Sequence, residues 1–338
     1  MVDDEPRVRI TDALEWQHDY VRRSGSPTAA LILRAVIDDL EGAGPLNDVL
    51  PGQVRFADLP GLRVMAAVHR LALDRTVPAL ALWLPTLGGR GPRTPADEVT
   101  FTREVIRALV AHRDVLEASM RKTPQTNETG RARLLRCALS REDPARAVRL
   151  FEVGASAGLN LRADLLPGDP GLEAGPLPRV VVRCGCDLDP VDITTVAGRS
   201  LLGCYVWVDD VERFHRLARA MEIARDAPAD LVRMDAAEFV AGLGVEDGTT
   251  TVLWHSAMWI YLPEATRAAV ESGIRSLASN ASPDAPFVHV SWEWDPSGAP
   301  DASFELVVTR WAGTTEDGVP RLIAQGRSHG EDVQLISP

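Results

Sequence analysis

Residues 150–161 read LFEVGASAGLNL, and this stretch decides the fold of the chain. An apolar strand, expected over 148–153, carries an acidic residue near its end and turns through small residues into a helical run over 157–165. Glycine permits both a tight turn and the close approach of a ligand to the backbone, and amides at a helix N-terminus face such a ligand. The stretch therefore predicts a strand–turn–helix unit of an α/β sheet, with a ligand site at the turn.

The spacing of the small residues at this turn favours a nucleoside cofactor that carries no pyrophosphate. The pattern (D/E)-x-G-x-G-x-G of S-adenosylmethionine sites is matched by Glu152, Gly154, Ser156 and Gly158, with serine in place of one glycine. The turn does not supply the pattern G-x-G-x-x-G of dinucleotide sites. Glu152 would bind the ammonium group of the methionine part, directly or through water. The turn therefore predicts S-adenosylmethionine as the cofactor.

Other interpretations of the turn stay open. The same residues spell G-x-S-x-G, the nucleophile elbow of α/β-hydrolases, in which Ser156 would attack, His329 would act as the base and Asp301 would orient the histidine. That elbow normally follows several earlier strands of the sheet, whereas the chain before residue 148 shows helical periodicity. A purely structural turn is a further interpretation, as is a non-catalytic protein of the same fold that binds a nucleoside or a partner.

Hydrophobic periodicity divides the rest of the chain into two halves. Residues 1–145 carry apolar positions at three- and four-residue spacing, which is typical of amphipathic helices, and they contain no convincing strand. From residue 148 strands alternate with helices, which predicts a parallel sheet covered on both faces. The expected strands lie at 148–153, 180–186, 229–234, 250–255, 286–292, 304–310 and around 321–336. The expected helices between them lie at 157–165, 211–225, 236–243 and 264–278.

The last two expected strands indicate the type of sheet. The linker over 313–320 leaves no room for a helix, so these two strands are expected to pair as an antiparallel hairpin. Parallel strands that end in such a hairpin are typical of a Rossmann-like α/β fold of the class I methyltransferase type. We therefore expect two domains: a helical lid and substrate-selecting domain over 1–145, and a methyltransferase-like domain over 146–338.

Two further strand ends carry aspartates that suit a nucleoside. Asp187 follows the second strand and would hold both ribose hydroxyls, with Asp189 as the second choice. Asp235 follows the third strand and would accept a hydrogen bond from the adenine amino group. An Asp–Pro turn and a helix N-cap are the ordinary structural uses of such aspartates. Three acidic strand ends in succession favour the cofactor over any one structural use.

The ends of the fourth and fifth strands carry the candidates for the acceptor side. His255 would remove a proton from the acceptor atom and Glu293 adds a carboxylate at the same edge, so both are predicted catalytic residues. Trp259 and Trp292 would bind the substrate in an aromatic pocket. The alternatives are a hydrogen-bonded structural histidine and tryptophans that are packed in a core.

Several stretches of the chain resemble one protein family. They are PQTNETGR at 124–131, FEVGASAGLNL at 151–161 and GCDLDPVD at 185–192, with shorter likeness at VHRL (68–71) and at Trp207, Glu212 and Arg213. On these residues the chain resembles the bacterial domain-of-unknown-function family 2332 over nearly its whole length. The resemblance implies a methyltransferase-like α/β domain behind a helical N-terminal region, and it implies no established reaction.

The segment that precedes the first strand is expected to run over the cofactor crevice. Arg131 would pair in bidentate fashion with a carboxylate of the cofactor or of the substrate. Gln125, Asn127 and Glu128 would bind the substrate. Capping of a helix start is the alternative use of Asn127 and Glu128.

Charge and composition exclude several classes of protein. Lysine and arginine number 36 against 48 acidic residues, so the formal charge of −12 argues against general binding of nucleic acid or of an anionic membrane. Lys122 is the only lysine, and it lacks the glycines of a P-loop. Pyridoxal phosphate chemistry needs a lysine for its Schiff base, and Lys122 would have to be that residue. The composition therefore argues against this class of enzyme as well.

The cysteines and the apolar runs bear on metals and on location. Cys137, Cys184, Cys186 and Cys204 form no paired metal-binding framework, so buried thiols and no metal site are expected. The chain begins without a cationic-then-apolar leader and has no apolar stretch of about 18 residues, which predicts a cytoplasmic protein without a membrane segment. Taken together, these patterns predict an S-adenosylmethionine-dependent methyltransferase-like enzyme with a small-molecule substrate. They do not predict its oligomeric state.

Overall fold

The computed structural model describes residues 6–295 and 303–336, which form two compact units. The sheet unit comprises residues 127–192 and the described part of 218–336. The helical unit comprises residues 6–126 and 193–217. These bounds differ from the expected division at residue 145, because 127–145 pack with the sheet and 193–217 pack with the helices. The lid and substrate-selecting role of the helical unit remains a prediction.

The helices of both units are numbered in chain order. Within the described residues the α-helices are α1 (Ile10–Arg23), α2 (Pro27–Glu41), α3 (Pro60–Leu73), α4 (Pro78–Ala81), α5 (Pro95–Ala111), α6 (Arg113–Arg121), α7 (Ala132–Leu139), α8 (Val196–Cys204), α9 (Val211–Asp226), α10 (Ala236–Ala241) and α11 (Glu264–Ser279). Single 3-10 helices lie at Pro45–Asp48, Phe56–Asp58, Pro85–Leu87, Thr129–Arg131, Leu159–Leu165 and Trp259–Tyr261. None of the helices within these ranges combines the length and the hydropathy that a membrane crossing requires.

The strands belong to a large sheet and to a small ladder. In chain order they are β1 (Val8–Arg9), β2 (Gln53–Val54), β3 (Ala147–Val153), β4 (Val180–Asp187), β5 (Asp230–Arg233), β6 (Thr249–Ser256), β7 (Phe287–Trp294), β8 (Phe304–Trp311), β9 (Arg321–Gly326) and β10 (Gln334–Leu335). The small antiparallel ladder of β1 and β2 lies in the half that was expected to be wholly helical. Two-residue strands are too short for side-chain alternation to reveal them in a sequence.

The helical unit buries one continuous apolar core. Phe101 from α5 is the largest of its fully buried side chains, and the first three long helices add Leu14 from α1, Ile32, Leu33 and Ile37 from α2, and Leu71 from α3. The apolar positions of α2 recur at three- and four-residue spacing, and Pro27 occupies its first turn, where a missing N–H is harmless. The periodicity of the sequence is thus the direct cause of this core.

Two polar contacts fix the segment 193–217 within the helical unit. The carboxylate of Asp209 accepts hydrogen bonds from the amides of Thr28 (3.3 Å) and Ala29 (2.9 Å) at the start of α2. The fully buried His69 bonds through Nδ1 to the carbonyl of Val206 (3.1 Å) and through Nε2 to the hydroxyl of Thr86 (3.0 Å). Burial lowers the pKa of His69 to about 4, so this histidine is neutral at pH 7.

The sheet unit confirms a mixed α/β fold with a largely parallel sheet. Its eight strands lie in the order β10-β9-β8-β7-β6-β3-β4-β5. The five strands from β7 to β5 are parallel, whereas β8, β9 and β10 pair antiparallel at the other side of β7. The expected pairing of the last strands as an antiparallel hairpin is therefore observed. All five parallel strands end at one edge, where ligands bind in open α/β sheets.

One face of the sheet is buried beneath two helices. Phe151, Leu253 and Phe287 from the central strands pack against Phe239 of α10 and Ile274 of α11. Because side chains alternate along a strand, the intervening residues of β3 and β6 point to the opposite face. Glu152 and Trp254 are such residues, and they are register partners on the paired strands β3 and β6.

The helix expected after the glycine turn is a 3-10 helix instead. It covers Leu159–Leu165 and leaves helical dihedrals at Arg162 (φ −101°, ψ 22°). The carbonyl of Gly158 accepts from the amide of Leu161, three residues on, and from the guanidinium of Arg162. The side chain of Arg162 thus takes the place of the backbone amide that would continue an α-helix.

Candidate functional site

The turn between β3 and the 3-10 helix is built from residues with left-handed backbone. Gly154 (φ 69°), Ser156 (φ 52°) and Gly158 (φ 64°) all have positive φ, which serine adopts only with strain. The end of β4 holds the turn, because Ala155 donates to the carbonyl of Cys186 (2.9 Å) and the amide of Ser156 donates to Asp187 (2.8 Å). The turn is therefore fixed in one conformation by its neighbouring strand.

Asp187 braces this turn with both carboxylate oxygens. Oδ2 accepts from the amide of Ser156, and Oδ1 accepts from the amide of Asp189 (2.9 Å). Asp189 is exposed and forms an ion pair with Arg233 (2.8 Å), so it is occupied at the surface. Of the two aspartates considered for the ribose, Asp187 is the one that lies against the glycine turn. Its role toward a ribose stays a prediction.

Asp235 acts as the N-cap of α10. Its Oδ1 accepts from the amide of Ala237 (2.8 Å), and the residue is exposed at the carboxyl end of β5. This is the structural use that the sequence also allowed. An N-cap carboxylate retains acceptor capacity, so the hydrogen bond to adenine stays a prediction.

Glu152 is the most unusual group of the site because it is buried almost without partners. Its carboxyl receives one long hydrogen bond, from Asn160 Nδ2 to Oε1 (3.5 Å). Burial raises the pKa of Glu152 to about 8, against smaller lowering effects of Asn160, of the charge of Arg162 and of the nearby indole of Trp254. At pH 7 the free protein therefore holds this group mainly as a neutral acid.

Four buried polar atoms around the turn lack a hydrogen-bond partner in the described residues. They are Glu152 Oε2, Ser156 Oγ, Asn160 Oδ1 and Trp254 Nε1. The indole of Trp254 lies near the carboxyl of Glu152, but its N–H does not form a full hydrogen bond with it. Most buried polar atoms in folded proteins are paired, because an unsatisfied one costs about 1–3 kcal/mol. A group of four such atoms on one turn and its two adjoining elements therefore marks this turn as the candidate site.

The segment before β3 supports the turn from another side. Asn127 Oδ1 accepts from the amide of Leu159 (2.9 Å), so the first amide of the 3-10 helix is engaged by the protein itself. Glu128 Oε1 caps the 3-10 helix at Thr129–Arg131 through the amide of Gly130 (2.8 Å). Both side chains are buried and perform capping, while substrate contact by either stays a prediction. Gln125 is half-buried in the helical unit.

Arg131 lies at the carboxyl end of β6. Its Nη1 donates to the carbonyl of Ser256 (3.3 Å) and its Nε to the carbonyl of Ser328 (2.9 Å). Ser256 is the residue after His255, so the structure brings Arg131 and the end of the histidine's strand together. The side chain is buried and bound to backbone carbonyls, and its expected pairing with a ligand carboxylate stays a prediction.

His255 has both ring nitrogens engaged. Nδ1 is 2.8 Å from Glu293 Oε1, and Nε2 is 3.0 Å from Nε2 of His289. Burial lowers the pKa of His289 to about 3, helped by the charge of His255, so His289 is neutral. A carboxylate oxygen can only accept a hydrogen bond, so the contact with Glu293 occupies Nδ1 of the ring, and the contact with His289 occupies Nε2. His255 can take a proton from a substrate only after its contact with His289 opens.

Glu293 also holds the turn that follows β6. Besides His255, it accepts from the amides of Met258 (3.2 Å) and Trp259 (3.3 Å). Trp259 stacks on the ring of His255, with centroids 5.0 Å apart. The turn places Met258 beside Gly154, where a β-carbon would lie 3.2 Å from the methionine side chain. The two predicted catalytic residues therefore position a segment that contacts the glycine turn.

The two tryptophans predicted to bind substrate occupy different environments. Trp259 is partly exposed in the 3-10 helix at Trp259–Tyr261, next to Ile260 and Tyr261, which are 54% and 43% exposed. Trp292 is fully buried on β7, and its indole donates to the carbonyl of Ser328 (3.4 Å). Trp259 is thus accessible to a ligand, whereas the geometry of Trp292 is that of a core residue.

The contact that a serine hydrolase requires is not formed in the described residues. Ser156 Oγ is buried and makes no hydrogen bond, so no histidine ring activates it. The carbonyl of His329 lies against Gly130, where an added β-carbon would collide with it. Asp301, the third member of that triad, falls outside the described residues. The described residues also contain no cluster of three or more His, Cys, Asp or Glu side chains suited to a metal ion.

Two residues of the site were missed by the sequence analysis. Asn160 supplies the hydrogen bond to Glu152, and its place in the stretch 150–161, two residues after the last glycine, was the available signal. His289 lies in the middle of β7, and a histidine inside an apolar strand carries no signal of its own. His289 and Glu293 are four residues apart on the same strand, so their side chains point to the same face of the sheet. Both contact His255 on that face.

Comparison with known proteins identifies the family. The family described as "Uncharacterized protein conserved in bacteria (DUF2332)" matches residues 11–169 and 165–334. The chain therefore belongs to this family, which confirms the resemblance. No curated protein sequence matches the chain. A similar solved structure is a chain of the "DhpI-SAM-HEP complex", aligned over 59% of this chain and 70% of that chain, at 10% identity and a TM-score of 0.26.

Proposed function

We propose that this protein is an S-adenosylmethionine-dependent methyltransferase-like enzyme that acts on a small molecule. The observation that carries the proposal is the group of four unpartnered buried polar atoms at a glycine turn, on the strand edge where α/β sheets bind ligands. A ligand with an amino group and several hydroxyls would satisfy these atoms. The five parallel strands followed by antiparallel strands agree with a class I methyltransferase-type sheet.

The residues present fit this cofactor in chemical type. Glu152 would receive the ammonium group, with Asn160 beside it. Asp187 would hold the ribose hydroxyls from the position where it braces the turn, and Asp235 would accept from the adenine amino group. Gly154 and Gly158 adopt positive φ and add no side chain of their own to the turn, while Met258 and Leu231 pack beside them. When bound, S-adenosylmethionine supplies an electrophilic methyl group on a sulfonium.

The acceptor side would lie at the ends of β6 and β7. Trp259 offers a partly exposed aromatic surface for a small molecule, and Arg131 supplies positive charge at the end of β6. Gln125 stays a predicted substrate-binding residue. Acceptors that are already nucleophilic need no base, since alignment and exclusion of water then suffice. The engagement of both nitrogens of His255 favours this type of acceptor.

Isothermal calorimetry with S-adenosylhomocysteine tests the proposal most directly. We expect saturable binding that Asp187→Asn weakens by about tenfold, because a hydrogen bond to a charged acceptor contributes about 1.5–3 kcal/mol. Asp247→Asn is the matched control, since Asp247 is an exposed aspartate before β6, at the opposite edge of the sheet. Absence of binding at millimolar ligand would contradict the proposal.

Two further variants separate the proposal from its rivals. Ser156→Ala abolishes the activity of a serine hydrolase but leaves the binding of S-adenosylhomocysteine largely unchanged. A non-catalytic protein of the same fold would bind the nucleoside and transfer no methyl group to any acceptor. With an acceptor in hand, we expect Arg131→Ala mainly to weaken ligand binding. His255→Ala should mainly slow turnover of an acceptor that must lose a proton, and it should leave turnover of an already nucleophilic acceptor largely unchanged.

A further inference from the structure

The carboxyl of Glu152 occupies an interior position with little to stabilise a negative charge. The residue is 2% exposed, Oε2 has no hydrogen-bond partner, and Oε1 has a single contact at 3.5 Å. A buried carboxylate ordinarily has a cation or several donors beside it, because the uncompensated charge is expensive in a medium of low polarity. The geometry around Glu152 is that of a neutral acid.

The neighbouring charged groups are committed to other partners. Arg162 donates to the carbonyls of Gly158 and Ala227, and burial together with the charge of Arg183 lowers its pKa to about 10. Arg183 itself forms a two-pronged pair with Asp164, at 2.7 Å for each contact. Asp187, on β4, adds negative charge that disfavours ionisation of Glu152. The remaining neighbours, Asn160 and Trp254, are uncharged.

We propose that Glu152 is held as a neutral carboxylic acid in the free protein and that binding of a ligand amine releases its proton to solvent. The inference rests on the proposed function for the identity of the ligand and deepens it. An aliphatic α-amine has a pKa of about 8 or above and is mainly an ammonium ion at pH 7. As the ammonium enters, Glu152 ionises, its proton leaves to the buffer, and an ion pair replaces the neutral acid. The site thus selects a nucleoside that carries an aliphatic amine.

Infrared spectroscopy of the free protein tests, without any ligand, whether Glu152 is a neutral carboxylic acid. At pH 6 we expect a carbonyl stretching band of a buried carboxylic acid that is lost in Glu152→Gln. Glu142→Gln is the matched control, since Glu142 is also buried and its pKa is also raised by burial, but it faces Arg310 instead of the glycine turn. Any band that this control removes belongs to Glu142. Absence of a band specific to Glu152 would overturn the proposal.

Calorimetry in two buffers of different ionisation enthalpy tests whether ligand binding releases the proton of Glu152. At pH 7 we expect the wild type and Glu142→Gln to release roughly one proton for each S-adenosylhomocysteine bound. The variant Glu152→Gln should release none and bind about tenfold more weakly or worse. The probe 5′-methylthioadenosine, a nucleoside thioether without the amino acid, should bind to the wild type without proton release.

The outcomes separate this inference from the proposed function. Binding of S-adenosylhomocysteine without proton release would overturn the coupling and leave the cofactor assignment intact. If neither nucleoside binds while the infrared band is present, the proposed function fails and the coupling fails with it. The infrared band specific to Glu152 together with proton release that requires the ligand amine supports the whole inference.

Discussion

Glu152 makes the free energy of unfolding depend on pH. The pKa of its side chain is about 8 in the folded protein and near 4.5 in the unfolded chain, so between these values unfolding releases a proton. Stability from this group is fully present below pH 4.5 and is lost as pH rises through 8. The neutral amide of glutamine has no such dependence.

We therefore predict that Glu152→Gln is more stable than the wild type above pH 5. The difference should grow by about 1.4 kcal/mol for each pH unit, reach about 3 kcal/mol near pH 7 and level off above pH 8. Urea unfolding at pH 5, 6, 7 and 8 measures it. Glu264→Gln, at an exposed position in α11, should show no such trend. A difference that stays constant over pH would contradict the raised pKa.

Gly185 on β4 is required by the close approach of the glycine turn. A β-carbon at this position would lie 2.6 Å from Cβ of Ala155 and 3.1 Å from the carbonyl of Glu152. We predict that Gly185→Ala lowers the free energy of unfolding by about 1–3 kcal/mol through overcrowding. The double variant with Ala155→Gly should recover most of the loss.

The control for this prediction is Gly52→Ala, whose added β-carbon meets nothing within 4 Å. It should change the stability by less than about 0.5 kcal/mol. Thermal unfolding of the four proteins distinguishes crowding from a general effect of alanine. A failure of Ala155→Gly to restore stability would show that another neighbour limits the space at Gly185.

At the residue scale the sequence predicted members of the site better than their contacts. The order of strand ends placed Glu152 and Asp187 at the turn, because strand ends follow from hydrophobic patterning. It could not predict that Asp187 would use both oxygens on backbone amides. His289 was missed because its importance arises from its pairing with His255 across two strands, and pairing between distant segments leaves no local pattern.

At the scale of elements, the start of α2 depends on a side chain from far along the chain. The residue that precedes this helix, Ser26, makes no side-chain cap, and Asp209 accepts from the first free amides in its place. A carboxylate at a helix N-terminus satisfies orphan donors and interacts favourably with the helix dipole. Burial nevertheless raises the pKa of Asp209.

We predict that Asp209→Ala lowers the free energy of unfolding by about 1–2 kcal/mol, whereas Asp209→Asn loses less because its amide oxygen still accepts. Urea unfolding at pH 7 measures both variants against Asp247→Ala at an exposed site. Equal losses in Asp209→Asn and Asp209→Ala would show that charge, and not hydrogen bonding, dominates the cap.

The sequence predicted the elements of the sheet unit closely. Strands expected at 148–153 and 250–255 are found at Ala147–Val153 and Thr249–Ser256, since apolar runs bounded by turn residues mark buried strands. The helix α8 (Val196–Cys204), which belongs to the helical unit, was not predicted. The run after the glycine turn became a 3-10 helix because a side chain, Arg162, competes for the carbonyl of Gly158. Local periodicity does not record such competition.

At the scale of the whole molecule, the helical unit is discontinuous in sequence. Residues 193–217 lie between two parts of the sheet unit but fold with residues 6–126. This segment supplies the Val206 carbonyl for His69, the Asp209 cap for α2 and a hydrogen bond from Ser200 to Asp74. A division at a single residue, such as 145, therefore cannot separate the two units. The hydrophobic pattern of the sequence does not show that residues 193–217 fold with the helical unit.

We predict that a fragment of residues 1–126, or of 1–145, does not unfold cooperatively, because buried groups such as His69 lose their partners. A chain in which a flexible linker joins residues 1–126 to 193–217 should regain a cooperative thermal transition by circular dichroism. The same linked chain with Asp209→Ala should melt at a lower temperature. Cooperative unfolding of the fragment 1–126 alone would contradict this dependence.

The scarcity of lysine has a practical consequence for studying motion. The only side-chain amine, that of Lys122, is exposed at the end of α6 in the helical unit. Among the described cysteines, Cys184 is the one thiol that is not fully buried, and it belongs to the sheet unit. Once the α-amino group of the chain is blocked, an amine-reactive donor dye and a thiol-reactive acceptor dye would therefore mark one unit each in the unmutated chain. Energy transfer between them would report the distance between the units with and without ligand.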